Sequence, residues 1–399
     1  MNEKEINKFQ PYSSIQLFSM NELDDLLNDV LVTNIDIHPR KIDKPIILYG
    51  AGCLGKMAKY FFDYLNIPYS YIIDKNPCQF QNDKVWQGIK ILHPDQVNEF
   101  DKKNCLLIVC IVTIPLIQLK NELKSDKWDD IVFFYDVSEA YKDNYPLTNG
   151  WFINELDKNE INSIKKVFYS FKDKVSCFNY LQFLTWHKVR IELLFDDFKI
   201  NNDNRFFIPE IINALSEDEL FIDCGAHHGL VINKFITIVK QKYNKIYAFE
   251  PDDINFEKLS TNLKNISKVE IKKIALGNKN CQNKFYQGFD FASKLSINGN
   301  DNITVVTLDS LNIQTTFIKM HLEGEELNAL NGAIKTIEKH RPILVVTLYH
   351  NNDGIWKIPQ FIINNCIDYI FYMRIHSWAG TGAVFYAIPK ERCVNTGVI

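Results

Sequence analysis

Between Glu219 and Gly229 an apolar run, Leu220-Phe221-Ile222, meets an acid, Asp223, then two glycines, Gly225 and Gly229, before a second apolar segment begins. A chain with this pattern has few ways to fold. The apolar run suits a buried parallel strand, and the glycines let the backbone turn tightly and open a helix. Strand-to-helix turns of this kind are where α/β folds approach nucleoside and anionic ligands. A second strand candidate, Lys245 to Phe249, closes on Glu250 and Pro251. An acid about 20 residues past the glycines is placed to grip two ribose hydroxyls. The spacing therefore predicts a nucleoside-cofactor site. His227 and His228, inside the loop, are unexpected there and are read as residues that shape the entrance to it.

The rest of the composition narrows the class. At 399 residues, two or three domains are expected. Hydrophobic residues make up 46% and charged residues 24%, as in soluble folded protein, and a net charge of −4 argues against a general nucleic-acid binder. Nine cysteines without a Cys-x-x-Cys pair suit reduced thiols, most of them buried. The N-terminal residues lack a signal-peptide pattern. The longest uncharged run, Cys105 to Leu119, is interrupted by Pro115 and is shorter than the roughly 20 residues of a membrane span. A cytoplasmic protein with a small-molecule partner, no nucleic acid and no membrane span is expected, with room for a homo-oligomer.

Residues 1–44 read as an extension with one helix near Asn21–Val30. Strand and helix alternate over 45–148, with strands at Ile46–Tyr49, Tyr69–Ile73, Cys105–Ile111 and Asp130–Tyr135. Residues 149–215 show helical spacing and no strand candidate, so a helical connector is expected. From 216 to 399 the alternation returns. Strands are expected at 219–223, 245–249, 269–274, 303–307, 316–320, 343–348, 368–374 and 383–388, the last two antiparallel. The fold class is α/β, with two Rossmann-like doubly wound domains joined by a helical segment.

In the first domain Gly50, Gly52 and Gly55 lie between a strand and a helix, and Asp74 closes the next strand. That is the dinucleotide fingerprint in its proper context. The segment resembles the nucleotide-binding N-terminal domains attached to sugar-modifying enzymes, through Asp74-Lys-Asn-Pro77 and Gly88-Ile-Lys-Ile-Leu-His-Pro94. A bound nucleotide-sugar or dinucleotide and a purely structural domain are both compatible with these residues.

In the last domain the loop reads Asp-x-Gly-x-x-x-Gly, not Gly-x-Gly-x-x-Gly, which fits a cofactor with a cationic amino-acid end, S-adenosylmethionine. Downstream come Thr307-Leu-Asp-Ser-Leu311, Phe317-Ile-Lys-Met-His-Leu-Glu-Gly-Glu-Glu326, Asn331-Gly-Ala333 and Arg341-Pro342. Leu348-Tyr-His350, Ile355-Trp-Lys-Ile-Pro359 and Tyr372-Met-Arg374 follow in order. Over roughly 205–390 the chain resembles the FkbM family of S-adenosylmethionine-dependent methyltransferases. The resemblance implies a class I methyltransferase fold and O-methylation of a small-molecule hydroxyl, often on a sugar or polyketide. It assigns Asp223, Gly225, Gly229 and Glu250, with Pro251 beside it, to the cofactor. Lys319, Glu323, Gly324 and Glu326 match the family signature.

Two departures stand out. Similar family members usually carry an acid where His321 stands, and Gly-Ala-Tyr-Asp-Gly where this chain has Gly225-Ala-His-His-Gly229. A histidine can act as a base near neutral pH or as a nitrogen ligand to a softer metal, but not as a hard oxygen ligand for magnesium. Methyl transfer to an alkyl hydroxyl needs in-line approach and a base. His350 is the first candidate for that base and His321 the second, with Glu323 and Lys319 completing the catalytic set. No metal is assigned, because spacing alone does not make histidines converge. The leading expectation is an O-methyltransferase acting on a sugar or nucleotide-sugar. Its alternatives are a catalytically degenerate nucleotide-sugar binding or scaffold protein of the same fold and, from the first domain, a nicotinamide-dependent oxidoreductase.

Overall fold

The computed structural model describes residues 19–393 except 35, 146, 148, 154, 195–199, 288–292, 297, 298 and 300. The first 18 residues of the expected extension lie outside the described residues. The extension's helix spans Met20–Val32, with Ser19 and Glu22 forming a reciprocal cap at its start. The chain divides into two compact units. One takes in Met1–Leu156, Leu181–Ile200 and Ser377–Thr381, the other Asp157–Tyr180, Asn201–His376 and Gly382–Ile399. The helical segment expected as a connector holds helices Lys158–Ser170, Lys174–Val189 and Pro209–Ala214, and the division runs through the second of them.

The first unit is built on five parallel strands, β1 (Ile46–Tyr49), β2 (Tyr69–Ile73), β3 (Ile91–Leu92), β4 (Leu106–Val109) and β5 (Asp130–Phe133). Their order is β3-β2-β1-β4-β5, that of a doubly wound sheet. β1 and β4 are buried along their whole length, which explains their unbroken apolar sequence. β5 stops at Phe133, short of the expected Tyr135, because Phe134 already begins the helix Phe134–Glu139. β3 was not expected: two residues carry no readable period.

The second unit has β6 (Leu220–Cys224), β7 (Lys245–Phe249), β8 (Val269–Lys272), β9 (Ala275–Leu276), β10 (Cys281–Tyr286), β11 (Lys294–Leu295), β12 (Asp301–Val306), β13 (Phe317–Met320), β14 (Ile343–Thr347), β15 (Tyr369–Ile375) and β16 (Ala383–Pro389). Seven of these form one sheet in the order β15-β16-β14-β13-β6-β7-β8, with β16 antiparallel to both neighbours. Phe221, Phe235 and Phe317 pack beneath its centre, the rings of Phe221 and Phe317 stacked at 4.6 Å. β6 and β13 pair in parallel with Asp223 opposite Lys319 and Cys224 opposite Met320. That register brings both loops of functional interest out at the same sheet end.

The strand read at 303–307 is β12, which leaves the main sheet and joins β11-β10-β12-β9 in a second, smaller one. Its burial alternates, whereas β6, β13 and β14 are almost wholly buried, so it suits a sheet with one wet face. β10 escaped sequence reading because Gln282, Asn283 and Lys284 are exposed, and only Phe285 is buried. Among the described residues no helix is long and apolar enough to cross a membrane.

Candidate active site

The glycine loop is shaped by close approach to β13. Gly225 has φ +77°, and a Cβ there would lie 2.0 Å from the carbonyl oxygen of His321, so no side chain fits. Gly229, at φ +82°, opens the helix Leu230–Ile238. At the end of β7 the Glu250 carboxylate accepts the N–H of His227 at 2.7 Å and that of Asp252 at 3.1 Å. Glu250 is buried, and burial pushes its carboxyl up to about 7. A carboxylate offers about four lone-pair sites, so two remain for a ligand in the cavity that Glu250 lines together with Pro251. The rings of His227 and His228 stack at 3.6 Å, and His228 Nε2 lies 3.0 Å from Asn255 Oδ1. Both histidines face the same cavity.

Lys319 and Asp223 are buried as a pair. Lys319 Nζ donates to Asp223 Oδ1 at 2.8 Å and to the carbonyl of Gly225 at 2.8 Å. Burial pushes the Asp223 carboxyl up while Lys319 pulls it back. Asp223 Oδ2 is buried without a hydrogen-bond partner among the described residues. With its ammonium engaged in this way, Lys319 ties the glycine loop to β13 as well as lining the cavity.

Beyond β13 the chain turns through two left-handed residues, Glu323 (φ +50°) and Gly324 (φ +107°). The turn carries the Glu323 carboxylate to 3.1 Å from His321 Nε2 and 3.3 Å from His350 Nε2. The two imidazoles lie nearly parallel, 5.1 Å apart. His350 Nδ1 meets Glu326 Oε1 at 2.8 Å. Glu326 is fixed in turn by the N–H groups of Leu322 and Gly324 and by the Thr347 hydroxyl. Burial works against charge on His350, yet Glu323 and Glu326 outweigh it and raise the imidazole to about 9. Burial also opposes the Glu323 charge, but His350 and His321 hold that carboxyl well below the ordinary range. Burial, seconded by the charges of Arg205 and His350, lowers His321 to about 3.

These positions separate the two candidate bases. His350 is 2% exposed and does not line the cavity, so an acceptor there cannot reach it. His321 lines the cavity beside Glu323 and stays neutral. Its Nε2 also lies 3.1 Å from the Tyr349 hydroxyl, which the Arg205 guanidinium contacts.

The cavity has a volume of about 380 Å³ and runs from the glycine loop and Glu250 to His321 and Glu323. Much of its wall is apolar: Phe206, Leu230 and Phe249 on one side, Ala275, Leu276, Phe285 and Leu295 from the small sheet on the other. The size and the few convergent polar groups are those of a small-molecule site. Arg205, Phe206, Asn255, Tyr349 and the small-sheet residues were not foreseen. Only Phe285, the one buried apolar residue in a polar strand, left a signal in the sequence.

In the first unit Gly50 has φ +109°, and a Cβ on Gly55 would lie 1.9 Å from the Gly50 carbonyl oxygen, so this glycine permits close helix–strand packing. Around Gly52 the space is open. Asp74 accepts the N–H groups of Ala51 and Asn76, each at 2.8 Å. The acid therefore orders the glycine loop directly.

The second unit thus has a seven-stranded sheet with one antiparallel strand, and a cavity at the strand ends. This is the class I methyltransferase fold. Residues 223–374 match the family model described as "Methyltransferase FkbM domain". These residues are thus similar to the FkbM-type methyltransferase domain. The chain is similar to the crystal structure of methyltransferase FkbM from Methylobacillus flagellatus KT over 92% of this chain and 98% of that one, at 17% identity and a TM-score of 0.59. An rRNA methylase from Streptococcus thermophilus is matched at 14% identity, over 44% of this chain and 90% of that one, with a TM-score of 0.29. A SAM-dependent methyltransferase from Aquifex aeolicus is matched at 13% identity, over 47% and 93%, with a TM-score of 0.28. No curated protein matches the chain.

Proposed function

We propose that the protein is an S-adenosylmethionine-dependent O-methyltransferase acting on a hydroxyl of a small molecule, a sugar or nucleotide-sugar. The observation that carries this reading is one cavity lined both by the buried carboxylate of Glu250 and by the His321–Glu323 pair. The residues fit the cofactor: Glu250 keeps lone pairs facing the cavity, and the unpartnered Asp223 oxygen supplies negative charge beside the loop. When bound, the cofactor supplies an electrophilic methyl group. Gly225 lines the bed where it would lie, Glu250 would hold the ribose with Pro251 beside it, and Asp223 and Gly229, which do not line the cavity, act by shaping the loop. The apolar wall of the small sheet excludes water.

In this reading the acceptor hydroxyl is received at His321 and Glu323, and His350, 3.3 Å from the Glu323 carboxylate, orients it from the buried side. The geometry favours His321 over His350 for contact with the acceptor, because only His321 reaches the cavity. In the first unit, the Gly50–Gly55 loop with Asp74 is proposed to take a nucleotide at the open space around Gly52, consistent with a nucleotide-sugar ligand. Radiolabelled methyl transfer to free sugars and to nucleotide-sugars tests the function. His321→Ala is expected to reduce turnover by about 10²–10⁴-fold while cofactor binding, measured by calorimetry, persists. Robust binding without turnover of any acceptor by the unaltered protein would favour the degenerate binding protein instead.

Cofactor affinity is also expected to depend on pH. A ribose donating two hydrogen bonds requires Glu250 as carboxylate, and free Glu250 titrates at about 7. Affinity for S-adenosylhomocysteine should be flat above about pH 8 and fall by up to about tenfold per unit below about pH 7. Glu250→Gln should abolish the slope in a calorimetric titration. A pH-independent affinity in the unaltered protein would exclude this role for Glu250.

A further inference from the structure

We propose that His321, Glu323 and His350 form a binding site for one divalent transition-metal ion of borderline softness, of the Zn²⁺ or Co²⁺ type, open to the cavity. One donor atom from each of the three residues lies within 4.8 Å of the other two. Glu323 Oε1 is 3.1 Å from His321 Nε2 and 3.3 Å from His350 Nε2. Ligand atoms about 2.0–2.2 Å from a shared ion stand roughly 3.3–3.6 Å apart when tetrahedral. The two spacings are therefore close to those of atoms around one centre.

A second observation points to the same centre. Among the described residues His350 Nε2 is buried without a hydrogen-bond partner and is approached only by the Glu323 carboxylate, at 3.3 Å. Its other nitrogen is held by Glu326 at 2.8 Å, and Glu326 is itself anchored by two backbone N–H groups and the Thr347 hydroxyl. A carboxylate on the far nitrogen is the arrangement that orients a metal-ligating imidazole and directs the lone pair of its free nitrogen at the ion. Two imidazoles and one carboxylate select a borderline cation over magnesium or calcium, which take oxygen donors. Glu323 and Glu326 together offset both the ion and the nearby Arg205 guanidinium.

The placement gives the ion access to ligand. His350 closes the buried side, whereas His321 and Glu323 line the cavity, so remaining coordination positions face the space where an acceptor would lie. The class of ligand is an oxygen donor, a hydroxyl or a vicinal diol, held by the ion in place of a direct hydrogen bond to His321. The inference stands on the donor arrangement alone, independent of methyl transfer.

Chelator-stripped full-length protein titrated with CoCl₂, without cofactor or acceptor, provides the test. Uptake of one equivalent with visible ligand-field absorption is expected, and ZnCl₂ should displace it. His321→Ala and Glu323→Gln should each weaken uptake by at least about tenfold, whereas His228→Ala should leave it unchanged. Should melting show that His321→Ala is unfolded, Glu323→Gln, of the same shape, decides. No stoichiometric uptake by the unaltered protein, or uptake undiminished in the folded variants, overturns the proposal. A protein that takes up cobalt but transfers no methyl group leaves it intact, and an active protein that takes up none overturns this inference alone.

Discussion

Glu250→Ala is expected to weaken binding of S-adenosylmethionine by roughly 10²–10⁴-fold. Two ligand hydroxyls donating to a carboxylate are worth about 1.5–3 kcal/mol each, and about 1.4 kcal/mol corresponds to tenfold in affinity. The substitution also frees the N–H groups of His227 and Asp252, which Glu250 holds at 2.7 and 3.1 Å, so the loop loses its tie to β7. Calorimetry on the unaltered protein, Glu250→Ala and Glu250→Gln separates the two effects. Glutamine keeps the shape and one acceptor, and should fall between the others. An alanine variant that binds the cofactor as well as the unaltered protein would remove Glu250 from the site.

Lys319→Met should destabilise the second unit by about 3–5 kcal/mol, the cost of leaving one member of a buried ion pair alone. Asp223 already has one oxygen without a partner, and losing Lys319 would leave its other oxygen, 2.8 Å from Nζ, without one too. The expected fall in Tm is roughly 6–20 °C for a domain of this size. Denaturant unfolding of the single variant and of Lys319→Met combined with Asp223→Asn checks the cause. The double variant should recover a large part of the loss, since the uncompensated charge is gone. A single variant as stable as the parent would mean that Asp223 is neutral in the folded protein and that the pair is not an ion pair.

Much of the architecture was legible because the central strands are buried on both faces and read as unbroken apolar runs. Ile46–Tyr49, Leu106–Val109, Phe317–Met320 and Ile343–Thr347 all declare themselves in this way. The antiparallel pairing of β15 and β16 was legible too, from the short link between them. The small sheet was not. β9 and β11 have two residues each, and β10 exposes most of its side chains, so none has a period to read. Its strands pair across distant sequence: Cys281 lies opposite Val305, and Ala275 beside that same residue. Such register depends on partners that the local sequence does not contain.

At the site, the glycine loop with its acids and the signature after β13 could be named residue by residue. Their roles could not. His350 and His321 looked interchangeable as bases, since both follow an apolar strand. Packing separates them: His350 sits between two carboxylates away from the cavity, while His321 faces it. The positive φ of Glu323, which swings its carboxylate between the imidazoles, likewise has no mark in the sequence.

The sequence by itself determined where strands end and which acids and glycines stand there, because local burial and backbone freedom depend on nearest neighbours along the chain. Only the tertiary structure decided which of those groups carry charge and which face the cavity. Protonation and donor convergence depend on distances between residues that are far apart in sequence, such as Glu323 and His350, and on the burial that their shared surroundings impose.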